Sequence, residues 1–536
     1  MNKYNFNPLK YQNQLSKLII DLKASKDFSQ KTYHQLIKKY PKSKSGSFSK
    51  SEIIAGIRHF STKDQDLLIK KIVLKPIRTL SGVVPVTLLT KPYPCPGKCI
   101  FCPNDLKMPK SYLSSEPGAQ RASHHHFDPY HQVTARLNAY YANGHPTSKV
   151  ELIVLGGTWS VYPQSYKIWF INRCFQALND FITTDKDNPC QPDTTKATWA
   201  QLKESQKINE TAKTRCVGLS LETRPDFITK QELINFRKLG CTKVQIGVQS
   251  LDDKILKLNQ RGHTLKATKT AFKLLRLFGF KIQAHWMANL YGSSVTKDIK
   301  DFKKLFSNNS FRPDELKIYP TALLKTAKLM DFYNQKLWKP FTNQELIKIL
   351  ANILPSIPSY CRVTRIIRDF SADDIVAGSK TSNLRQIIEK KANKKIKEIR
   401  SREIRQLHLD PSTLKLVTTS YKTSSSTEKF IEYITPENKI VAFLRLSLPS
   451  QSPPIKELKK SSIIREIHVY GQSLNLGDKA KTQHLGLGTN LINQAKNITK
   501  KEKYTNMAVI SAIGTKEYYT KQGFKDGEIY QHIKIN

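Results

Sequence analysis

Leu15, Leu18, Ile19 and Leu22 recur at helical spacing near the start of the chain. A break follows at PKSKSGSFS (41–49), after which Ser51 with Glu52 opens a second short helix, IIAGIRHF. From about residue 82 the period changes. Short β-branched runs alternate with longer helical stretches: VPVTLL (84–89), VELIVLGG (150–157), CVGLSLE (216–222), KVQIGVQS (243–250), KIQAHWMA (281–288) and ELKIYPT (315–321), with RVTRII (362–367) as a candidate seventh. Apolar strands alternating with helices predict an α/β unit, a parallel sheet closed fully or partly into a barrel. Residues 184–214 are polar and read as a surface insertion. Past residue 380 a charged connector, KKANKKIKEIRSREIRQ, leads to a different pattern. TLKLVTTSYKT, EKFIEYI, NKIVAFLRLSL after a PEN turn, and SIIREIHVYG read as antiparallel strands. A helix near QHLGLGTNLINQAKN, the strand MAVISAIG and a last helix and strand complete a second α/β domain. The expected units are a helical region (1–80), an α/β barrel domain (81–380), a linker (381–412) and a C-terminal domain (413–536).

The chain has 536 residues, 39% hydrophobic and 24% charged, a composition that supports folded cores rather than a disordered tail. Charge changes the picture more. Lys and Arg number 88 against 43 Asp and Glu, a net +45. A field of that sign attracts polyanions, nucleic acid first and an anionic membrane surface second; a compositional bias toward lysine is the plain alternative. No apolar run approaches the ~20 residues of a membrane helix. The opening residues show no apolar leader core, so a cytoplasmic location is expected.

Of eight cysteines, too few for a disulfide scaffold, three sit together. KPYPCPGKCIFCPND places Cys95, Cys99 and Cys102 in a C-x3-C-x2-C array on a loop after the first strand. Three thiolates at this spacing suit three irons of a 4Fe–4S cluster, leaving the fourth iron open to a small chelating ligand such as S-adenosylmethionine. Pro94, Pro96, Gly97 and Pro103 suit a chain that must wrap around such a group. Zinc, with a fourth ligand from the His124–His126 run or elsewhere, is the alternative. Near the other end, Gly486 and Gly488 remove side chains where a helix starts, and backbone N–H groups there can meet a pyrophosphate. A tight turn into a helix is the simpler reading of that loop.

The cysteine array resembles the signature of the radical SAM superfamily. On that resemblance the turn at Gly156, Gly157 and Thr158 lies near the methionine moiety, Glu222 and Arg224 hold polar parts of the adenosyl ligand, and Gln249 ends the next strand beside them. The C-terminal pattern is similar to the GNAT acetyltransferase fold. There Gln483, His484, Leu485, Gly486, Leu487 and Gly488 correspond to the loop that holds the pyrophosphate of acetyl-CoA, and Tyr518 and Tyr519 to residues near the thioester.

The two patterns in one chain resemble the catalytic subunit of Elongator and its bacterial and archaeal relatives, the tRNA uridine(34) carboxymethyl synthases. The ordered stretches include FDPYHQVTARL, LETRPD, GCTKVQIGVQS, NQRGHT, FRPDELKIYPT, REIHVYG and IGTKEYYTKQGF. The resemblance implies an enzyme that cleaves S-adenosylmethionine reductively. The resulting radical takes hydrogen from the acetyl methyl of acetyl-CoA, and the carbon radical is joined to carbon 5 of the wobble uridine. Thioester hydrolysis then leaves a carboxymethyl group. It also implies an external reductant and a tRNA partner, with no membrane. RNA contact is expected from Lys10, Lys17, Lys23, Lys26, Lys38, Lys39, Lys42, Lys44 and Arg58, and from Lys107, Lys110, Arg136, Arg385, Lys394, Lys395 and Arg402. Oligomeric state is left open, a homodimer included. The chain departs from the family at Ala288, Tyr291, Thr326 and Ala327. Segment 390–405 has no cysteine, so the zinc site that many relatives carry there is not expected. A protein or small-molecule acetyltransferase with a structural cluster is the competing activity.

Overall fold

A computed structural model describes residues 6–25, 29–43, 46–61, 63–75, 79, 81–182, 196–368, 370–381, 383–391, 395–405, 410–470 and 486–535. The N-terminal region forms α1 (Gln12–Ala24), α2 (Gln30–Lys39), α3 (Lys50–Phe60) and α4 (Gln65–Ile72). The apolar stripe of α1 packs with Ile53, Ile54, Ile57, Leu68 and Ile72 into a small core of its own. The cap of α3 is Ser49, not the Ser51 that the pattern suggests. Its hydroxyl accepts the Glu52 N–H while Glu52 reaches back to the Ser49 N–H, a reciprocal capping box.

All seven strand runs between residues 83 and 366 form. They are β1 (Val83–Leu89), β2 (Lys149–Leu155), β3 (Arg215–Thr223), β4 (Lys243–Gln249), β5 (Lys281–Ala288), β6 (Glu315–Pro320) and β7 (Arg362–Ile366). Their order in space is their order in the chain, and every neighbouring pair is parallel, so the sheet is an open, partial barrel. The connecting helices are α5 (Pro129–Ala142), α6 (Gln164–Asp180), α7 (Trp199–Asn209), α8 (Lys230–Lys238), α9 (Leu265–Leu277), α10 (Val295–Ser307) and α11 (Asn343–Ile353). Thr229, Thr264, Ser294 and Thr342 cap α8 to α11, each accepting the N–H three residues on. Part of the expected surface insertion is thereby corrected. Residues 199–209 form α7, with Leu202 buried and the Asn209 carboxamide accepting the Cys216 N–H at 2.8 Å and donating to Thr214 O at 3.0 Å.

The two faces of the barrel sheet differ. Val84, Val86, Leu152, Val154, Ile246, Ile282 and Trp286 point outward and are buried beneath the helices. The inward face is polar, carrying Glu151, Ser220, Glu222, Lys243, Gln245, Gln283, His285, Glu315 and Lys317 at alternate positions.

The C-terminal sheet contains β8 (Lys415–Lys422), β9 (Ser426–Ile434), β10 (Ile440–Pro449), β11 (Ser461–Val469), β12 (Asn506–Val509), β13 (Lys525–Asp526) and β14 (Gln531–Lys534). Its order is β8-β9-β10-β11-β12-β14-β13. All its pairs are antiparallel except β11 with β12. The helix α12 (Leu487–Lys501) buries Leu491, Ile492 and Ala495 against this sheet, and α13 (Lys516–Lys521) follows β12.

The second sheet docks at the N-terminal ends of the barrel strands, opposite the cysteine loop. Lys281 at the start of β5 binds Glu466 of β11 at 2.5 Å, the Tyr530 hydroxyl donates to Phe278 O at 2.7 Å, and Arg237 donates to Ile529 O at 2.8 Å. The connector is organised around the fully buried Glu398. Its carboxylate accepts the N–H groups of Val363, Arg400 and Ser401 and pairs with Arg385.

Candidate functional site

The loop after β1 places Cys95, Cys99 and Cys102 at the C-terminal ends of the strands, where a parallel barrel carries its chemistry. The Cys102 N–H donates to Cys99 O at 3.2 Å and the Gly97 N–H points at Cys95 Sγ at 3.4 Å. Gly97 is the floor of a cradle. A Cβ there would lie 3.5 Å from Cys95 Sγ and 3.6 Å from Cys99 Sγ and would strike the Arg224 guanidinium. The Asn104 N–H donates to the Thr326 hydroxyl at 3.2 Å, so one of the departures from the family pattern pins the far end of the loop.

Cations surround the thiols. Arg261 Nη1 lies 3.4 Å from Cys99 Sγ and its Nη2 donates to Gly247 O at 2.7 Å. Arg224 is held by Asp226 through bonds of 3.0 and 2.8 Å. Burial, with the neighbouring Cys99, raises the Cys102 thiol to about 11, the condition of a thiol that ionises only against a strong positive partner.

The residues fit a multi-iron group. In such a cluster each thiolate takes a different iron, so the sulfurs must surround a volume rather than meet at a point. Among the described residues no three His, Cys, Asp or Glu side chains converge to hold a single metal ion. Buried polar atoms with no hydrogen-bond partner gather beside the loop: Arg224 Nη1, Arg261 Nε, Gln249 Oε1 and both ring nitrogens of His263. Burial lowers His263 to about 3, so its ring is neutral. Donors and acceptors of both kinds, held dry, suit a ligand carrying an ammonium, a carboxylate and a heterocycle.

Of the other expected ligands, Gly156 adopts φ 139°, a conformation a side chain would strain, and a Cβ there would collide with Thr90. Gly157 follows in the same turn, and Thr158 is buried with its hydroxyl 3.7 Å from Cys95 Sγ. Gln249 ends β4 at φ 68°. Glu222 and Arg224 separate. Arg224 lies over the cysteine loop, whereas Glu222 faces the lumen, 3.8 Å from His285 Nδ1 and within 3.4 Å of the Tyr112 hydroxyl. Burial raises the Glu222 carboxyl above its ordinary value.

Sequence reasoning missed Arg261, His263, Tyr112 and the lumen set. The signal for the lumen was present: a parallel strand covered on both faces by apolar groups reads as continuously apolar, and Lys243, Gln245, Gln283, His285, Glu315 and Lys317 break that rule at every second position.

The second candidate site opens where β12 leaves β11. Their pairing runs only from Ser461–Asn506 to Ile464–Val509, so beyond the bulge at Arg465 the residues Glu466–Val469 pair with β10 alone. The start of α12 faces this cleft. Gly486 caps it at φ 64°, and a Cβ at Gly488 would lie 2.6 Å from the Tyr518 hydroxyl and 3.8 Å from Ile467 Cδ1. Tyr518 is partly exposed, whereas Tyr519 is buried in the core against Phe524, ring centroids 5.7 Å apart. Of the two tyrosines, only Tyr518 has its hydroxyl at the helix start. Gln483, His484 and Leu485 lie outside the described residues, as do Lys26, Lys44 and Lys394. Arg402 is withdrawn from the basic surface: it is buried and pairs with Glu432 at 2.7 Å. Lys10, Lys17, Lys23, Lys38 and Lys39 are exposed. Among the described residues no helix is long and apolar enough to cross a membrane.

Residues 93–302 match the radical SAM superfamily and residues 313–394 the radical SAM C-terminal domain. A protein of Methanocaldococcus infernus named tRNA uridine(34) acetyltransferase is 38% identical over 501 residues, 90% of each chain. A Dehalococcoides mccartyi protein of the same name is 37% identical over 463 residues, 84% of this chain and 96% of that one. Elongator complex protein 3 of Homo sapiens is 33% identical over 482 residues, 86% of this chain and 85% of that one. The solved structure of the archaeal Methanocaldococcus infernus Elp3 with an N-terminal deletion superposes with a TM-score of 0.72 at 34% identity, covering 85% of this chain and 99% of that one.

Proposed function

Because the chain belongs to the family of radical SAM proteins that comprises the tRNA uridine(34) acetyltransferases and Elongator complex protein 3, we propose that it is a tRNA carboxymethyluridine synthase acting on carbon 5 of the wobble uridine. When bound, a 4Fe–4S cluster with S-adenosylmethionine supplies a hydrogen-abstracting radical, and acetyl-CoA supplies the two-carbon unit.

The chain's own residues divide the remaining work. Cys95, Cys99 and Cys102 would hold three irons, and Arg261 and Arg224 offset the charge of their thiolates. The unpartnered donors and acceptors of Arg224, Gln249 and His263, with the turn at Gly156 and Gly157, would orient S-adenosylmethionine. The C-terminal domain is read as a GNAT acetyltransferase unit. There the first N–H groups of α12 would receive the pyrophosphate of coenzyme A, and the β11–β12 cleft would take the acetyl arm. Tyr518, whose hydroxyl borders Gly488, would flank that arm. The exposed lysines of α1 and α2 would meet RNA phosphates.

The observation that carries this reading is the cation-lined cradle of three thiols in a chain that also holds a glycine-capped helix over a split strand pair. Nucleoside mass spectrometry of tRNA after anaerobic incubation with reductant, S-adenosylmethionine and acetyl-CoA tests it. A uridine-derived nucleoside carrying a carboxymethyl group is expected. Acetyl transfer to an amine with no altered uridine would overturn it.

A further inference from the structure

The lumen below the cysteine loop holds a lysine that the scheme above leaves without a role. Lys243 and Lys281, lower in the same lumen, each bind carboxylates: Lys243 binds Glu151 and Glu315, and Lys281 binds Glu315 and Glu466. Lys317, on β6 beside His285 of β5, forms no ion pair among the described residues. Its ammonium donates to the amide oxygen Gln245 Oε1 at 2.5 Å. The same oxygen accepts His285 Nε2–H at 3.3 Å, and the Gln245 amide is oriented by donation to the Ser220 hydroxyl at 2.9 Å. Lys317 is half-buried, and its ammonium carries three N–H donors, of which the bond to Gln245 uses one.

Glu222 faces Lys317 across this space without a salt bridge, close enough for each to shift the other's ionisation. The lumen position of β4 next to His285 is Gly247, which brings no side chain. The chamber lies directly under the cysteine loop. Arg368, whose charge acts on Cys102, stacks 4.8 Å from the Tyr112 ring, and the Tyr112 hydroxyl reaches Glu222.

A cationic donor with no carboxylate partner, facing an acceptor, fits one nucleobase edge. Uracil presents carbonyl oxygens beside an N3–H. Cytosine presents at the same edge an amino group, which would meet the ammonium donor to donor, and a bare N3 lone pair, which would meet the carboxylate. A base withdrawn from its stack into an enzyme chamber is read through this edge. Resting on the function proposed above, we infer that Lys317 and Glu222 read the target base, Lys317 donating to the uracil O4 carbonyl and Glu222 accepting from N3–H. Gln245 and His285 are positioning residues that fix Lys317.

The test uses the full chain with reconstituted cluster and three tRNAs that carry uridine, 4-thiouridine or cytidine at position 34. A thiocarbonyl accepts hydrogen bonds poorly. Wild-type kcat/KM is therefore expected to fall on the order of 10- to 100-fold for 4-thiouridine and at least as far for cytidine. Lys317→Met should lower the uridine value by a similar factor and bring the uridine-to-thiouridine ratio near one, while Lys317→Arg keeps most of the ratio. A Lys317→Met protein that retains the wild-type ratio overturns the inference. If that variant does not load iron, the wild-type enzyme alone decides, since equal rates on uridine and 4-thiouridine overturn it. Absence of any modified nucleoside from wild type on all three RNAs overturns the proposed function with it, whereas product without discrimination overturns only this assignment.

Discussion

Arg465 on β11 donates to both carboxylate oxygens of Asp314, at 2.7 Å each, and neither side chain is open to solvent. The pair ties the C-terminal sheet to the barrel at the start of β6. Arg276 adds a bond to Asp314 at 3.2 Å, and Glu428 accepts the Nε–H of Arg465 at 2.9 Å. Burial opposes ionisation of Asp314, yet the guanidiniums of Arg465 and Arg276 prevail and hold its carboxyl well below the usual range.

Breaking one side of this pair leaves a buried charge uncompensated. Asp314→Asn or Arg465→Met is expected to lower stability by about 3–5 kcal/mol in denaturant unfolding. The pH dependence has a fixed sign. A depressed carboxyl contributes stability that is complete above its unfolded value, about 3.9, and is lost as pH falls from there toward the folded value. The gap between wild type and Asp314→Asn should therefore be full at neutral pH and narrow below about pH 4. A gap that widens on acidification would contradict this account of the interface.

Cys99→Ala should abolish iron loading on anaerobic reconstitution, together with reductive cleavage of S-adenosylmethionine. Full iron content in that variant would refute the three-thiol assignment. Arg261→Met is expected to behave differently. It removes a cation 3.4 Å from Cys99 Sγ while leaving every thiol in place. Iron should load, and the reduced cluster, which carries one more negative charge, should become harder to form. A redox titration followed by electron paramagnetic resonance should show the potential moving downward.

The strand runs were legible because β-branched clusters recur between helices whose Thr and Ser caps are local signals. The cysteine loop was legible because its spacing is itself the chemistry. The polar alternation of the lumen was visible strand by strand but its site was not, since Gln245, His285 and Lys317 come from three strands and gain meaning only when the parallel register sets them side by side. Arg402 read as surface charge because its partner, Glu432, lies thirty residues away in the chain. Tyr518 and Tyr519 are adjacent in sequence, and only the direction of α13 decides that one meets Gly488 and the other the core.

A side chain at Gly488 would press on the Tyr518 hydroxyl, and a negative one would also oppose a pyrophosphate at the helix start. Gly488→Glu is expected to weaken acetyl-CoA binding more than tenfold by calorimetry, while iron–sulfur absorbance and tRNA affinity stay near wild type. Equal loss of all three would show instead that the substitution unfolds the protein.

Affinity for tRNA should fall steeply with salt, with a log–log slope of about −0.9 per phosphate neutralised on duplex regions. Reversing the exposed Lys10, Lys17 and Lys38 to Glu should lower affinity most at low salt and flatten that slope. Arg402→Ala should instead lower the melting temperature, because it strands the buried Glu432, and leave the slope unchanged. A flattened slope in Arg402→Ala with an unchanged melting temperature would reverse these assignments.

The most direct test of the two-site account is isotopic. Acetyl-CoA with a fully deuterated, doubly carbon-13-labelled acetyl group is supplied with S-adenosylmethionine, reductant and unmodified tRNA, and both the nucleosides and 5′-deoxyadenosine are weighed. The account requires both labelled carbons and two deuterons in the modified uridine. The third deuteron should be in 5′-deoxyadenosine, and neither product should form with Cys99→Ala. Unlabelled modified uridine, or deuterium-free 5′-deoxyadenosine formed alongside labelled product, would contradict it.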